Sequence, residues 1–251
     1  MAISRIIFLY ACLLLSTGLK AQSTKYHLLI GTYTSPGKSE GIYVYESNSK
    51  TGEFSLKNNT ENIVNPSYLT VSNDNKFVYS VSENDKKSSV SAFGFNSKSG
   101  KLDFINFQNP NGSNPCYIIN DEKNVITANY SSGNISVLGK NNDGSIGAVK
   151  QVVQHTGKSI NTKRQEAPHA HMVYFSPDKK YVLANDLGTD KIYVYQYNSN
   201  SATEVLTLKS SIDVKPGSGP RHLIFSKDGK QVYLLQEMDG TITSFNYAKK
   251  K

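Results

Sequence analysis

Asn65-Pro66-Ser67-Tyr68-Leu69-Thr70-Val71-Ser72-Asn73-Asp74-Asn75-Lys76-Phe77-Val78-Tyr79-Ser80-Val81-Ser82-Glu83 decides the fold. An apolar run, a turn of Asn and Asp residues, and a second run of β-branched and aromatic residues read as strand, tight reversal, strand. The same order of features restarts at Asn114-Pro115-Cys116-Tyr117, at Pro168-His169-Ala170-His171 and at Gly219-Pro220-Arg221-His222. The leading residues Pro66, Pro115, Pro168 and Pro220 stand 49, 53 and 52 positions apart. A fixed period of this length is the mark of a repeat architecture.

Working outward, each unit continues into a third strand: Ser89 to Phe95, Asn134 to Leu138, Lys191 to Tyr197 and Thr241 to Tyr247. The first three units add a fourth, Leu102 to Phe107, Ile146 to Val153 and Glu204 to Val214, after hairpin turns such as Ser99-Gly100-Lys101 and Asn142-Asp143-Gly144. Residues Tyr26 to Asn59 follow the same grammar with the first strand missing. Units of four antiparallel strands predict an all-β fold, a β-propeller of about five blades and 18 strands. A seven-bladed ring needs roughly 28 strands, so the expectation is an incomplete, C-terminally truncated propeller over residues 22–251.

Composition fits this. Hydrophobic residues make up 37% of the 251, Tyr alone accounts for 16, and no Trp is present, which suits a strand-rich globular chain. Residues Met1 to Ala21 read differently: Arg5, an apolar run from Ile6 to Leu15, then small residues up to Ala21, the pattern of a secretory signal peptide. The expected location is therefore secreted or periplasmic, with no membrane attachment after cleavage. Cleavage removes Cys12 and leaves Cys116 alone, so no internal disulfide is expected. The formal charge of +8 is spread along turns and strands. That spread argues against a nucleic-acid partner and mildly favours anionic ligands.

Aligned units suggest a site. Ser67, Cys116, His171 and Arg221 fall at one position near the start of the innermost strand, and Glu83, Tyr130, Asp186 and Glu237 at another, Asp186 being one place out of register. Equivalent blades would set these side chains around one rim. An Arg, imidazoles and carboxylates converging there suit anion binding and acid–base chemistry. The plainer reading is that the histidines bond within a loop and the acidic residues cap turns. His169 and His171 could also offer two metal ligands, but no third His or Cys lies nearby in sequence, so no metal and no cofactor are expected.

Gly31-Thr32-Tyr33-Thr34, Arg164-Gln165-Glu166-Ala167-Pro168-His169-Ala170-His171, Asp186-Leu187-Gly188-Thr189-Asp190 and Gly219-Pro220-Arg221-His222 resemble the lactonase family of seven-bladed propellers, which includes propeller-type 6-phosphogluconolactonases and is similar to carboxymuconate-lactonising enzymes. The resemblance runs in order from about residue 26 to 247; it departs at Tyr117, where relatives often carry His after Pro-Cys. It implies a lactone hydrolase acting on a sugar lactone or other small anionic lactone. By motif position it implies His171, Arg221 and Glu237 as catalytic residues, with His169, Asp186, His222 and Glu83 binding substrate. The alternative is an inactive truncated propeller that binds a ligand or protein. Open blade edges leave self-association as a further expectation.

Overall fold

The computed structural model describes residues 25–35 and 37–248; the signal-peptide reading and the terminal lysines lie outside them. Eighteen strands form five antiparallel sheets. The first holds β1 (Lys25–Ile30), β2 (Tyr43–Asn48) and β3 (Phe54–Asn59). The second holds β4 (Leu69–Val71), β5 (Phe77–Ser82), β6 (Ser89–Asn96) and β7 (Lys101–Gln108). The third runs through β8 (Pro115–Asn120), β9 (Asn124–Asn129), β10 (Asn134–Lys140) and β11 (Ile146–Gln154). The fourth has β12 (Ala170–Phe175), β13 (Tyr181–Asp186), β14 (Lys191–Tyr197) and β15 (Leu206–Asp213). The fifth has β16 (Pro220–Phe225), β17 (Gln231–Gln236) and β18 (Ile242–Asn246). Each sheet is a meander, and the inner strands β4, β8, β12 and β16 lie side by side, as in a propeller. No helix among the described residues is long and apolar enough to cross a membrane.

The repeated turn has a repeated mechanism. Ser72 Oγ donates to Asp74 Oδ1 at 2.6 Å and accepts from the Phe77 N–H at 3.0 Å. The same pair of bonds recurs with Ser176, Asp178 and Tyr181, and with Ser226, Asp228 and Gln231. Short polar side chains bonding their own backbone are what close such reversals. Between blades, apolar residues of the inner and middle strands interlock: Ile126, Ile135, Val173, Val182, Ile192 and Leu234 belong to one continuous buried cluster.

The third unit is phased differently from the proline spacing. The N–H groups of Glu83, Tyr130 and Glu237 donate to the carbonyls of Asn65, Asn114 and Gly219, each just before a leading proline, whereas Leu187 donates to His169. Ala170, not Pro168, is therefore the counterpart of Pro66, Pro115 and Pro220. Counted from Ala170, the units stand 49, 55 and 50 residues apart, so the extra length lies in the loop that leads into β12.

Candidate active site

The inner strands of blades three to five begin with an irregularity. Pairing skips one residue between Pro115 and Tyr117, between Ala170 and Met172, and between Pro220 and His222. The skipped residues are Cys116, His171 and Arg221. A β-bulge leaves its extra residue unpaired and re-aims the side chain, and here all three enter one cavity of about 320 Å³ with Ser67. The residues that follow the second strands, Glu83, Tyr130 and Glu237, line the same cavity. The two sets of equivalent positions thus converge at one rim.

Glu237 is the hub. Its Oε2 accepts from Arg221 Nε at 3.1 Å and lies 3.5 Å from His171 Nε2, while its Oε1 accepts from Arg164 Nη2 at 2.5 Å. His171 and the guanidinium of Arg164 favour the carboxylate over the cost of burial and hold its pKa down at about 2. Arg221 Nη1 lies 3.3 Å from His222 Nδ1. Burial, the Arg221 charge and His171 lower His222 to about 4, so its imidazole is neutral at pH 7. Cys116 Sγ sits 3.4 Å from the His171 carbonyl oxygen and 3.9 Å from His171 Nδ1, and burial pushes the thiol pKa far up, so it is a neutral wall.

The second carboxylate is held apart. Glu83 Oε1 accepts from the Ser67 hydroxyl and from Tyr33 OH, the latter at 2.8 Å. Burial and the Glu83 charge push the Tyr33 phenol up to about 12. Tyr33 reaches the cavity from the first blade because Gly31 lets the chain pass against the second: a Cβ there would lie 2.2 Å from the Pro66 carbonyl oxygen.

Two sequence expectations change. Asp186 does not line the cavity; its side chain is fully buried. It is the last paired residue of β13, one place before the position that faces the rim, and strand alternation turns it the other way. Asp186 Oδ2 lies 2.6 Å from His155 Nδ1, and Oδ1 accepts from the His169 and Thr189 N–H groups. The rim position of that blade belongs to Leu187, which is buried. His169 also stands outside the cavity lining, stacked on Tyr130 at 4.5 Å with Nδ1 3.1 Å from the Tyr130 carbonyl oxygen. Both residues shape the wall rather than face the hollow. His171, Arg221, Glu237, His222 and Glu83 are all brought to it.

The matched positions of the repeat do not mark Arg164 and Tyr33, although both lie in the motifs that carry the resemblance. Asp190, in the same motif as Asp186, has a supporting part: its two oxygens accept from the Gly217 and Gly219 N–H groups at 2.6 and 2.8 Å, which fixes the turn before Arg221. A larger hollow of about 690 Å³, on the second blade beside the loop of residues 61–64 and walled by Phe93, Phe104 and Phe107, holds no comparable charged cluster. No group of three or more His, Cys, Asp or Glu side chains among the described residues is placed to hold a metal ion.

Fold and rim together define a β-propeller with a cavity of charged and imidazole side chains where its blades begin. The chain belongs to the lactonase family of seven-bladed β-propellers, whose model matches residues 27–251. It is 37% identical over 226 residues to a 6-phosphogluconolactonase of Bacillus subtilis and 32% identical over 223 to one of Formosa agariphila. These alignments cover 89% and 87% of this chain, which spans 63% of each relative's length. Among solved structures it is similar to a candidate 6-phosphogluconolactonase of Bacteroides fragilis, with a TM-score of 0.87 and 43% identity over 92% of this chain and 66% of that one. It is also similar to a periplasmic gluconolactonase of Pseudomonas aeruginosa, with a TM-score of 0.83 and 34% identity over 90% and 65%.

Proposed function

We propose that this protein is a lactone hydrolase that opens a sugar lactone or another small anionic lactone at the rim cavity. The observation that carries this reading is the meeting of His171, Arg221 and Arg164 on the single carboxylate of Glu237, in a hollow sized for a small ligand. Arg221 commits Nε to Glu237 and Nη1 to His222, while its Nη2 makes no hydrogen bond among the described residues. That free donor suits the carbonyl oxygen of a lactone, whose charge grows as the ring is attacked. His171 takes a proton from the attacking water as the new carbon–oxygen bond forms, and Glu237 stabilises the imidazolium. Collapse of the tetrahedral intermediate breaks the ring carbon–oxygen bond, and His171 returns the proton to the departing alkoxide. The product is the open hydroxy acid.

Export fits the same reading. Residues 1–21 have the composition of a secretory signal, and one similar structure is described as periplasmic. The names of the relatives support lactone chemistry.

The test is ring opening of δ-gluconolactone and its 6-phosphate, followed by pH-stat titration. We expect turnover above background, lowered about 10²- to 10³-fold by Arg221→Ala and about 10²- to 10⁴-fold by His171→Ala. Background rates in the unaltered protein and both variants would sink this reading and favour a binding module.

A further inference from the structure

We propose that Arg164 is a specificity-determining residue of the rim site, recognising an anionic substituent, such as a phosphate ester, on a substrate whose carbonyl sits at Arg221. The inference rests on the lactone reading and deepens it. Both hydrogen bonds of the Arg164 side chain use one nitrogen: Nη2 donates to Glu237 Oε1 at 2.5 Å and to Tyr130 OH at 3.2 Å. Nε and Nη1 make no hydrogen bond among the described residues, and the side chain is 48% exposed. Both forks of a guanidinium, Nε with Nη2 and Nη1 with Nη2, include the nitrogen already engaged, so Nε–H and the Nη1–H groups remain as single donors on a cation, each able to take one oxygen of a phosphate or carboxylate.

The position of those donors is built in. Tyr130 stands in the third blade and Glu237 in the fifth, so Arg164 spans the mouth over His171 in the fourth. Its backbone is anchored by its neighbour Gln165, whose side chain is fully buried and donates through Nε2 to the Leu187 carbonyl at 2.9 Å. Asn161 Oδ1 accepts from the Lys163 and Arg164 N–H groups at 3.1 and 3.2 Å. Gly188 closes the packing behind the loop, since a Cβ there would lie 1.9 Å from the Ala167 carbonyl oxygen. The loop is therefore a fixed mount, and the free donors of the guanidinium have a defined place at the mouth.

Charge points the same way. Glu83 is engaged by Ser67 and Tyr33, and Glu237 faces two guanidiniums at once. A substrate anion at the free donors of Arg164 meets a cation whose partner carboxylate is held through Nη2 alone. A neutral lactone gains nothing there. Arg164 thus separates charged from neutral lactones at a distance from the reacting carbon.

The experiment compares kcat/KM for δ-gluconolactone and its 6-phosphate in the unaltered protein, Arg164→Gln and Arg164→Lys. Calorimetric binding of glucose 6-phosphate, which has no lactone to open, is measured alongside. Arg164→Gln should lower the preference for the phosphorylated lactone roughly ten- to a hundredfold, chiefly through KM, and weaken glucose 6-phosphate binding by a similar factor. Arg164→Lys should restore part of both. If Arg164 only buttresses Glu237, both lactones lose kcat alike and the preference stays within about twofold of its starting value, which overturns the proposal. Should the unaltered protein open neither lactone, the lactone reading fails while the glucose 6-phosphate titration still decides the role of Arg164.

Discussion

At the scale of single residues, His222 carries the clearest pH signature. Its folded pKa of about 4 lies below the usual 6.5, because burial and the Arg221 charge disfavour the imidazolium. A depressed pKa means that the unfolded chain binds more protons, so stability is complete above pH 6.5 and declines as pH falls towards 4. Thermal melts across that window should show the midpoint falling with pH, and His222→Gln should flatten the decline. An unchanged slope in the variant would show that other groups set it. Glu237 adds a second, more acidic loss, since its folded pKa is about 2 against a usual 4.5. Residue type made some of this legible in the sequence: Arg, His and Glu at matched positions announce a charged rim. Asp186 shows the limit. It lies one place from the rim position, and in a strand one place reverses the direction of the side chain.

Elements explain what the sequence hid. Strands and turns declare themselves by period and composition, and the 18 strands appear where those signals put them. The loop between β11 and β12 has no period, so nothing in its letters says that Arg164 crosses the mouth while Gln165 is buried. The first blade likewise gives no sign that Tyr33 reaches Glu83 until Gly31 is seen against the Pro66 carbonyl. These loop mounts carry their own prediction. Asp190→Ala removes two charged hydrogen bonds from the turn before Arg221 and should cost about 3 kcal/mol. Gly188→Ala, which forces a clash with the Ala167 carbonyl, should cost about 1–3 kcal/mol. Denaturant unfolding measures both; values near zero would mean that the loops rearrange without penalty.

On the scale of the whole molecule, the five sheets present two apolar faces that no other described residue covers. Tyr26, Leu28 and Ile30 alternate along β1 and are 51%, 41% and 40% exposed. In the last sheet Ile224 pairs with Tyr233, and Leu235 with Ile242, giving a contiguous patch with Ile242 69% exposed. Exposed patches of this kind drive association, and they lie on sheet faces more than on the strand edges that the sequence suggested. Sedimentation velocity of residues 22–251 should show association that rises with concentration and weakens when Ile224→Lys and Ile242→Lys are combined. A monomer at every concentration would overturn that expectation. The bulges at Cys116, His171 and Arg221 have a different consequence. A residue released from the ladder is largely uncoupled from strand pairing, so natural variation or a designer can rewrite those letters while the scaffold stays the same. Duplicated blades thus give this architecture interchangeable sockets, and new chemistries evolve by refilling them.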